Sequence, residues 1–328
     1  MTPRGFFGIL ASLLALGWLC YTYDFAEFVS ALARAQAVYL IPAFGLLLLS
    51  FLVRALRWRA IFSVPARPSL PNAFATMMTG YLFNNLMPAR AGELVRVYLL
   101  AKVAALSKSM VLGTVVVERV ADFMVFGVLL AFAMQAQPVP DWVARAIATL
   151  VIMGALALGA LALFQGLAGR AWRLFSPALN ALPDRFSQSL QRIARSLLAG
   201  IQGLAGLGAA ARFIGYSVVI WLAELGILGT IAFAFGLPLG FRDVLFVLLV
   251  IAAGSIVPAS PGYVGTFEFF GLKALALLGH DGPVALGFVV TLHAVSLLGS
   301  SALGALGLMA IHRGGSRIPQ RAADLLKD

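Results

Sequence analysis

The sequence predicts an all-α polytopic membrane protein of six long spans and two re-entrant or broken-helix hairpins, arranged as an inverted repeat. Three observations predict it. Hydrophobic residues make up 61% of the 328 residues and Asp, Glu, Lys and Arg only 11%, against roughly 25% charged in soluble domains. The apolar residues gather into stretches long enough to cross a bilayer, which takes about 20 helical residues. Two of those stretches are broken by proline, glycine and ionisable residues, which a bilayer tolerates only where the backbone is buried in protein or lines a polar cavity.

Taken in order, the unbroken stretches are 5–23, 37–53, 109–135, 142–166, 212–236 and 283–311. The first reads as a retained span rather than a secretory signal, because no small-x-small site precedes Asp24 and Leu19 before Cys20 does not fit a lipoprotein site. The broken regions are 72–104 and 243–279. The chain reads as a single membrane domain over 1–328, with a cytoplasmic insertion at 167–211 and a cytoplasmic tail at 312–328. In the insertion, Phe186, Leu190, Ile193 and Leu197 fall on one helical face and Arg185, Arg192 and Arg195 on another. That pattern suits either a helix lying at the headgroup boundary or a solvated linker helix.

Basic residues set the sidedness. Segment 54–71 holds Arg54, Arg57, Arg59 and Arg67 and no acid, a charge of +4; 167–212 carries +5 and 312–328 carries +2. The intervening loops 24–36, 135–141 and 237–243 carry no net positive charge. The alternation places both termini in the cytoplasm and opens the two hairpins to opposite sides, as in transporters with inverted repeats. The overall +11 would suit nucleic acid in a soluble protein, but here it lies between apolar runs, and no nucleic-acid partner is expected. The single cysteine, Cys20, excludes an internal disulfide.

Three groups of residues are candidates for function. In the first break, Pro88 ends regular helix, Asn84 and Asn85 offer amides, and Gly92 allows close backbone approach. Arg90 and Arg96 there suit a phosphate, with Glu93 to balance them. Within 109–135, Glu118 and Asp122 share a helical face while Arg119 points about 100° away. Arg119 is therefore expected to pair with a carboxylate on another helix, such as Glu93 or Glu268, rather than with both acids beside it. The second break has Pro258, Pro261, Gly262 and Gly265 as helix breakers, with Ser260 and Thr266 as polar groups. Glu268 is expected about six residues past the Pro261-Gly262 turn, on an apolar helix, as a proton carrier or the partner of an arginine. Lys273 points elsewhere, and Glu224 and His293 are weaker candidates. Each group also has a purely structural reading: an interhelical ion pair for Glu118, Arg119 and Asp122, orientation signals for Arg90 and Arg96, and neutralisation of a neighbouring arginine for Glu268.

No HExxH or other paired-histidine metal spacing exists among His280, His293 and His312, and no Gly-rich nucleotide loop is present. No metal, cofactor or catalytic residue is expected, and transport is favoured over enzymatic turnover.

Asn85–Glu93 with Arg96, Val117-Glu118-Arg119 with Asp122, and Pro258–Gly262 with Gly265 and Glu268 resemble the three signatures of the flippase-like, lysylphosphatidylglycerol-synthase transmembrane-domain family. The resemblance covers about 5–311. It implies lipid translocation between leaflets of a bacterial or archaeal inner membrane; the expectation here is an anionic or glycosylated lipid, or its headgroup, and a bacterial inner membrane. No aminoacyl-transferase sequence accompanies the membrane portion, so a lysyl-lipid substrate is not implied. A lipid-modifying membrane enzyme and a non-transporting subunit of a lipid-pathway complex are the alternatives. A membrane lipid is the expected partner; a lipid-biosynthesis enzyme and a homo-oligomer are left open.

Overall fold

The structure is a computed structural model that describes residues 14, 17–19, 21–63, 66–87, 91–133, 152, 204, 206–255 and 260–314. The expectations for most of 5–23, for nearly all of 142–166 and the insertion, and for the tail past Gly314 lie outside these residues, as do Pro88, Arg90 and Pro258. The described residues form helices throughout: α1 (Phe25–Arg34), α2 (Leu40–Ile61, entered through a 3-10 turn Ala37–Tyr39), α3 (Leu70–Leu86), α4 (Gly92–Val103), α5 (Lys108–Ala133), α6 (Leu207–Ala234), α7 (Phe241–Gly254), a 3-10 turn Pro261–Tyr263, α8 (Thr266–Leu277) and α9 (Pro283–Gly314). The order long helix, pair of short helices, long helix occurs twice, as α2 to α5 and as α6 to α9.

Among the described residues, three helices are long and apolar enough to cross a membrane: Ala37–Ile61, Leu207–Ala234 and Pro283–Arg313, with mean hydropathies of 2.0, 1.9 and 1.8. At 1.5 Å per residue they reach roughly 37–47 Å, beyond a hydrocarbon core of about 30 Å. Helix α5 has 26 residues but carries Glu118, Arg119 and Asp122 at its middle. The first of these spans corrects the expected loop 54–71. Arg54 and Arg57 lie inside α2, which continues to Ile61, and of the four arginines only Arg59 and Arg67 remain at its end. Both tie the connection down, Arg59 Nε donating to the Pro68 carbonyl at 2.7 Å and Arg67 Nε to that of Phe62 at 3.3 Å.

Local chemistry sets the helix ends. Asp24 caps α1 by accepting from the Ala26 amide at 2.6 Å, and Ser69 caps α3 by accepting from Asn72 at 3.4 Å. Helix α3 stops at Leu86 because Met87, the residue before Pro88, is extended at φ −115° and ψ 143°, the conformation that a following proline imposes.

Close approaches then pack the helices in antiparallel pairs. On α9, Gly304 lies against the Met78 carbonyl and Gly307 against that of Ala75, so α3 runs antiparallel along it. Between α2 and α6, Gly226 faces Leu46 while Ser217 faces Arg57. Helices α3 and α4 form a tight hairpin in which a Cβ at Gly92 would collide with the Gly80 carbonyl oxygen. Helices α7 and α8 form another, with Gly254 against Phe270 and Gly271 against Ile251. The burial pattern is that of a membrane protein: Arg57, Arg96 and Glu118 are at most 1% exposed, while Phe233 and Leu298 are 65% and 66% exposed.

Candidate functional site

Two adjoining cavities of about 340 and 290 Å³ open between the helices. They share Arg54, Asn85, Glu224, Tyr263, Ser296 and Ser300 in their walls. The two breaks therefore face one another: Asn85 comes from the end of α3, and Tyr263 from the turn before α8. Asn85 Nδ2 donates to Ser300 Oγ and Ser301 Oγ, both at 2.9 Å, which fixes the end of α3 against α9. Gly262 sits on the same junction, close enough to Leu297 and to the Asn85 carbonyl that a Cβ would lie 3.1 Å from the former and 3.5 Å from the latter.

The polar wall between α2 and α6 is an ion pair. Arg54 Nη2 lies 2.9 Å from Glu224 Oε1, and Ser50 Oγ donates to the same oxygen at 2.8 Å. Both charged side chains are about one-fifth exposed (21% and 23%), so they face the cavity rather than solid protein. Trp221, Phe267 and Leu248 supply the apolar side of the larger cavity, and Tyr81 and Phe51 that of the smaller.

Behind the cavities lies a denser charge network. Arg57, fully buried, reaches Asp122 at 2.6 Å and Glu118 at 3.2 Å and donates to Ser217 Oγ at 3.1 Å. Arg96 Nη2 approaches Glu93 at 2.6 Å and Glu118 at 3.0 Å. None of the Arg96 guanidinium nitrogens has an aligned acceptor, so these are charge contacts rather than directional hydrogen bonds. Its guanidinium instead lies over Trp58, 4.9 Å from the ring centroid, and Trp58 Nε1 donates to Thr114 Oγ1 at 2.9 Å. Arg119 Nη2 sits 3.4 Å from both Glu118 Oε1 and Asp122 Oδ2. This overturns the expected pairing: the long arginine stem bends back to the two acids of its own helix, and the interhelical partners of those acids are Arg57 and Arg96. Three guanidiniums and three carboxylates thus neutralise one another across α2, α4 and α5.

At the second break, Glu268 lies in the first turn of its helix. Helix α8 begins at Thr266, and Glu268 Oε2 accepts from the Gly265 amide at 2.7 Å, capping the helix from its first turn. Its other oxygen lies 2.6 Å from His293 Nδ1. His293 Nε2 is 2.8 Å from the Gly262 carbonyl oxygen, and Phe267 stacks on the imidazole at 4.3 Å.

The residues expected from the sequence therefore divide into layers. Asn84, Asn85, Glu93, Arg119, Asp122 and Gly262 line the cavities. Arg96, Glu118 and Glu268 lie one layer behind, buried. Ser260 is outside the wall, its Oγ donating to the carbonyls of Pro261 and Val264 at 3.4 and 3.3 Å. Gly265, at φ 88°, is the N-cap of α8, and Pro261 opens the 3-10 turn. Lys273 turns away, its Nζ 4.8 Å from the Trp18 ring. Sequence reasoning misses Arg54, Arg57, Tyr81 and Tyr263 and gives too little weight to Glu224 and His293. A signal for the arginines is present: the apolar helical spacing Leu52, Val53, Leu56, Trp58, Ile61 continues unbroken through them.

The geometry defines a polytopic helical membrane protein with a charged cavity enclosed between two helix breaks. The chain belongs to the family described as lysylphosphatidylglycerol synthase TM region, whose model matches residues 5–304. It is 24% identical over 347 residues to a UPF0104 membrane protein of Methanothermobacter thermautotrophicus, covering 99% of this chain and 100% of that one. A UPF0104 membrane protein of Methanocaldococcus jannaschii is 30% identical over 121 residues, 36% of each chain. Glycosyltransferase AglD of Haloferax volcanii is 26% identical over 325 residues, 88% of this chain but 51% of that protein. No solved structure matches the chain.

Proposed function

We propose that the protein translocates a lipid with an anionic or glycosylated headgroup between the leaflets of a prokaryotic cytoplasmic membrane. The observation that carries this reading is the pair of adjoining cavities walled from both breaks, with the Arg54–Glu224 pair inside. Such a cavity, surrounded by helices whose outer faces are apolar, gives a polar headgroup a path that hydrocarbon denies it. In this reading the α3–α4 and α7–α8 hairpins are re-entrant and the two four-helix sets are inverted repeats, within a fold of six long spans whose termini are cytoplasmic. With Arg54 and Arg57 inside a span, the sidedness rests on Arg59 and Arg67 together with the basic segments further along the chain. The relatives are archaeal, which removes the reason to name a bacterial membrane.

The headgroup contacts move from those expected. Arg96 is neutralised behind the wall, so an anion is met by Arg54 and Arg119, with Asn84 and Asn85 beside them. Those arginines already face Glu224, Glu118 and Asp122, and the wall as a whole is balanced rather than strongly positive. A balanced wall of carboxylates, amides, hydroxyls and aromatic rings also suits hydroxyl-rich sugar. The glycosyltransferase name of the Haloferax volcanii relative supports a sugar-bearing headgroup. A lipid-modifying enzyme is less well supported, because both ring nitrogens of His293 are engaged and it is not free to serve Ser300 as a base.

The test is lipid transfer between leaflets in proteoliposomes, using fluorescent anionic and glycosylated lipids. Transfer by the wild type that falls at least about tenfold in Arg54→Ala supports the reading. No transfer of any such lipid, with a modified lipid as product instead, would turn it to the enzyme.

A further inference from the structure

We propose that Glu268 and His293 form a proton-binding site, holding at least one proton more than a neutral histidine beside an ionised glutamate, and that this proton pins the Gly262–Tyr263 turn. The argument is one of donors and acceptors. Histidine Nε2 faces a backbone carbonyl, the Gly262 oxygen, at 2.8 Å, and a carbonyl can only accept, so Nε2 carries hydrogen. Nδ1 faces Glu268 Oε1 at 2.6 Å. A hydrogen must lie between those two atoms as well, either on the ring, giving imidazolium beside carboxylate, or on the carboxyl, giving a neutral ring beside a neutral acid. Both arrangements carry the same extra proton and the same zero net charge. Without it, either Nε2 turns a lone pair to the Gly262 carbonyl or Nδ1 turns one to the carboxylate.

The proton's removal would be felt at the turn. Gly262 and Tyr263 have φ of 69° and 59°, a left-handed pair that is unfavourable for a residue with a side chain. The His293 contact holds the carbonyl between them, and Tyr263 lines both cavities. Phe267, stacked on the ring at an interplanar angle of 14°, keeps the imidazole in this plane. The other ionisable groups around the larger cavity are Arg54 and Glu224, paired together, Asp122, paired with Arg57 and Arg119, and Tyr263. No lysine or arginine lies within ion-pair distance of Glu268 among the described residues, so the proton is what neutralises it. In the translocation reading, on which only this consequence rests, proton gain and loss at the dyad would switch Tyr263 between the two cavities and couple headgroup movement to a proton.

The dyad can be tested without transport. Magnetic resonance of nitrogen-15 histidine and carbon-13 carboxyl groups would be recorded on full-length protein in lipid nanodiscs at about pH 7. His280→Gln and His312→Gln would leave His293 as the one histidine signal. Imidazolium beside carboxylate, or a neutral ring beside a protonated Glu268, is expected; a neutral ring beside an ionised Glu268 overturns the proposal. Transfer assays test the coupling. In Glu268→Gln the amide donates to Nδ1 while Nε2–H keeps the Gly262 carbonyl, reproducing the hydrogen bonds with no proton to lose. Wild-type transfer should vary with pH and the variant's should not; a variant that keeps the wild-type pH profile overturns the coupling. Absence of wild-type transfer at every pH would defeat the translocation reading while the resonance result still decides the dyad.

Discussion

The two helix breaks hold charge in opposite ways. Around the first, three arginines and three carboxylates from α2, α4 and α5 form a crowded network, most of it buried behind the cavity wall. Around the second, one carboxylate caps a helix through the Gly265 amide and meets one imidazole at 2.6 Å. Guanidiniums stay protonated at any physiological pH, so the first network is a permanent fixture that locks three helices together. An imidazole–carboxyl pair, unlike a guanidinium, can give up its proton, so the second can act as a movable part. One break is built as an anchor and the other as a switch, and the cavity lies between them.

That contrast can be broken by experiment, beginning with the anchor. Arg57→Ala leaves Glu118 and Asp122 short of their interhelical partner in a fully buried site. It should lower stability by about 3–5 kcal/mol, read as a large fall in the unfolding midpoint in detergent; a loss below about 1 kcal/mol would mean that the network does not lock the helices. Gly92→Ala forces a methyl group into the Gly80 carbonyl and should cost roughly 1–3 kcal/mol by opening the α3–α4 hairpin, checked by the same unfolding measurement. Glu224→Gln, at the partly exposed wall, should cost only about 1 kcal/mol yet slow lipid transfer at least about tenfold. Unchanged transfer in that variant would remove the Arg54–Glu224 pair from the path. Lys273→Ala loses a cation–π contact with Trp18 worth about 0.5–1 kcal/mol and should leave transfer untouched, which marks the far side of α8 as scaffold.

Much of this is legible in the sequence. Pro88, Gly92, Pro261 and Gly262 place the breaks, since helix breakers in apolar sequence are tolerated only where neighbouring groups satisfy the freed backbone. The three long apolar helices can be read to within a few residues, except that the sequence pattern ends α2 just before Arg54. That error has a physical cause. An arginine in an apolar helix reads as the membrane's edge unless its counter-charge is known, and here the counter-charges are Glu224, Glu118 and Asp122, between 61 and 170 residues away. The same non-locality hides the Glu268–His293 pair, whose members are 25 residues apart on different helices. Arg119 misleads by a different route: Cβ direction places it 100° from its neighbours, but its flexible stem returns the guanidinium to them. The sequence shows which side chains are expensive in a membrane; only the fold shows which of them neutralise one another.

The most direct test of a headgroup path between the breaks is to fill it. Ser296 lines both cavities from α9, and Ser296→Trp would place an indole there while leaving every member of both charge networks in place. Lipid transfer in proteoliposomes should fall to the protein-free background, with the unfolding midpoint within a few degrees of wild type. Wild-type transfer rates from a folded Ser296→Trp protein would contradict the account.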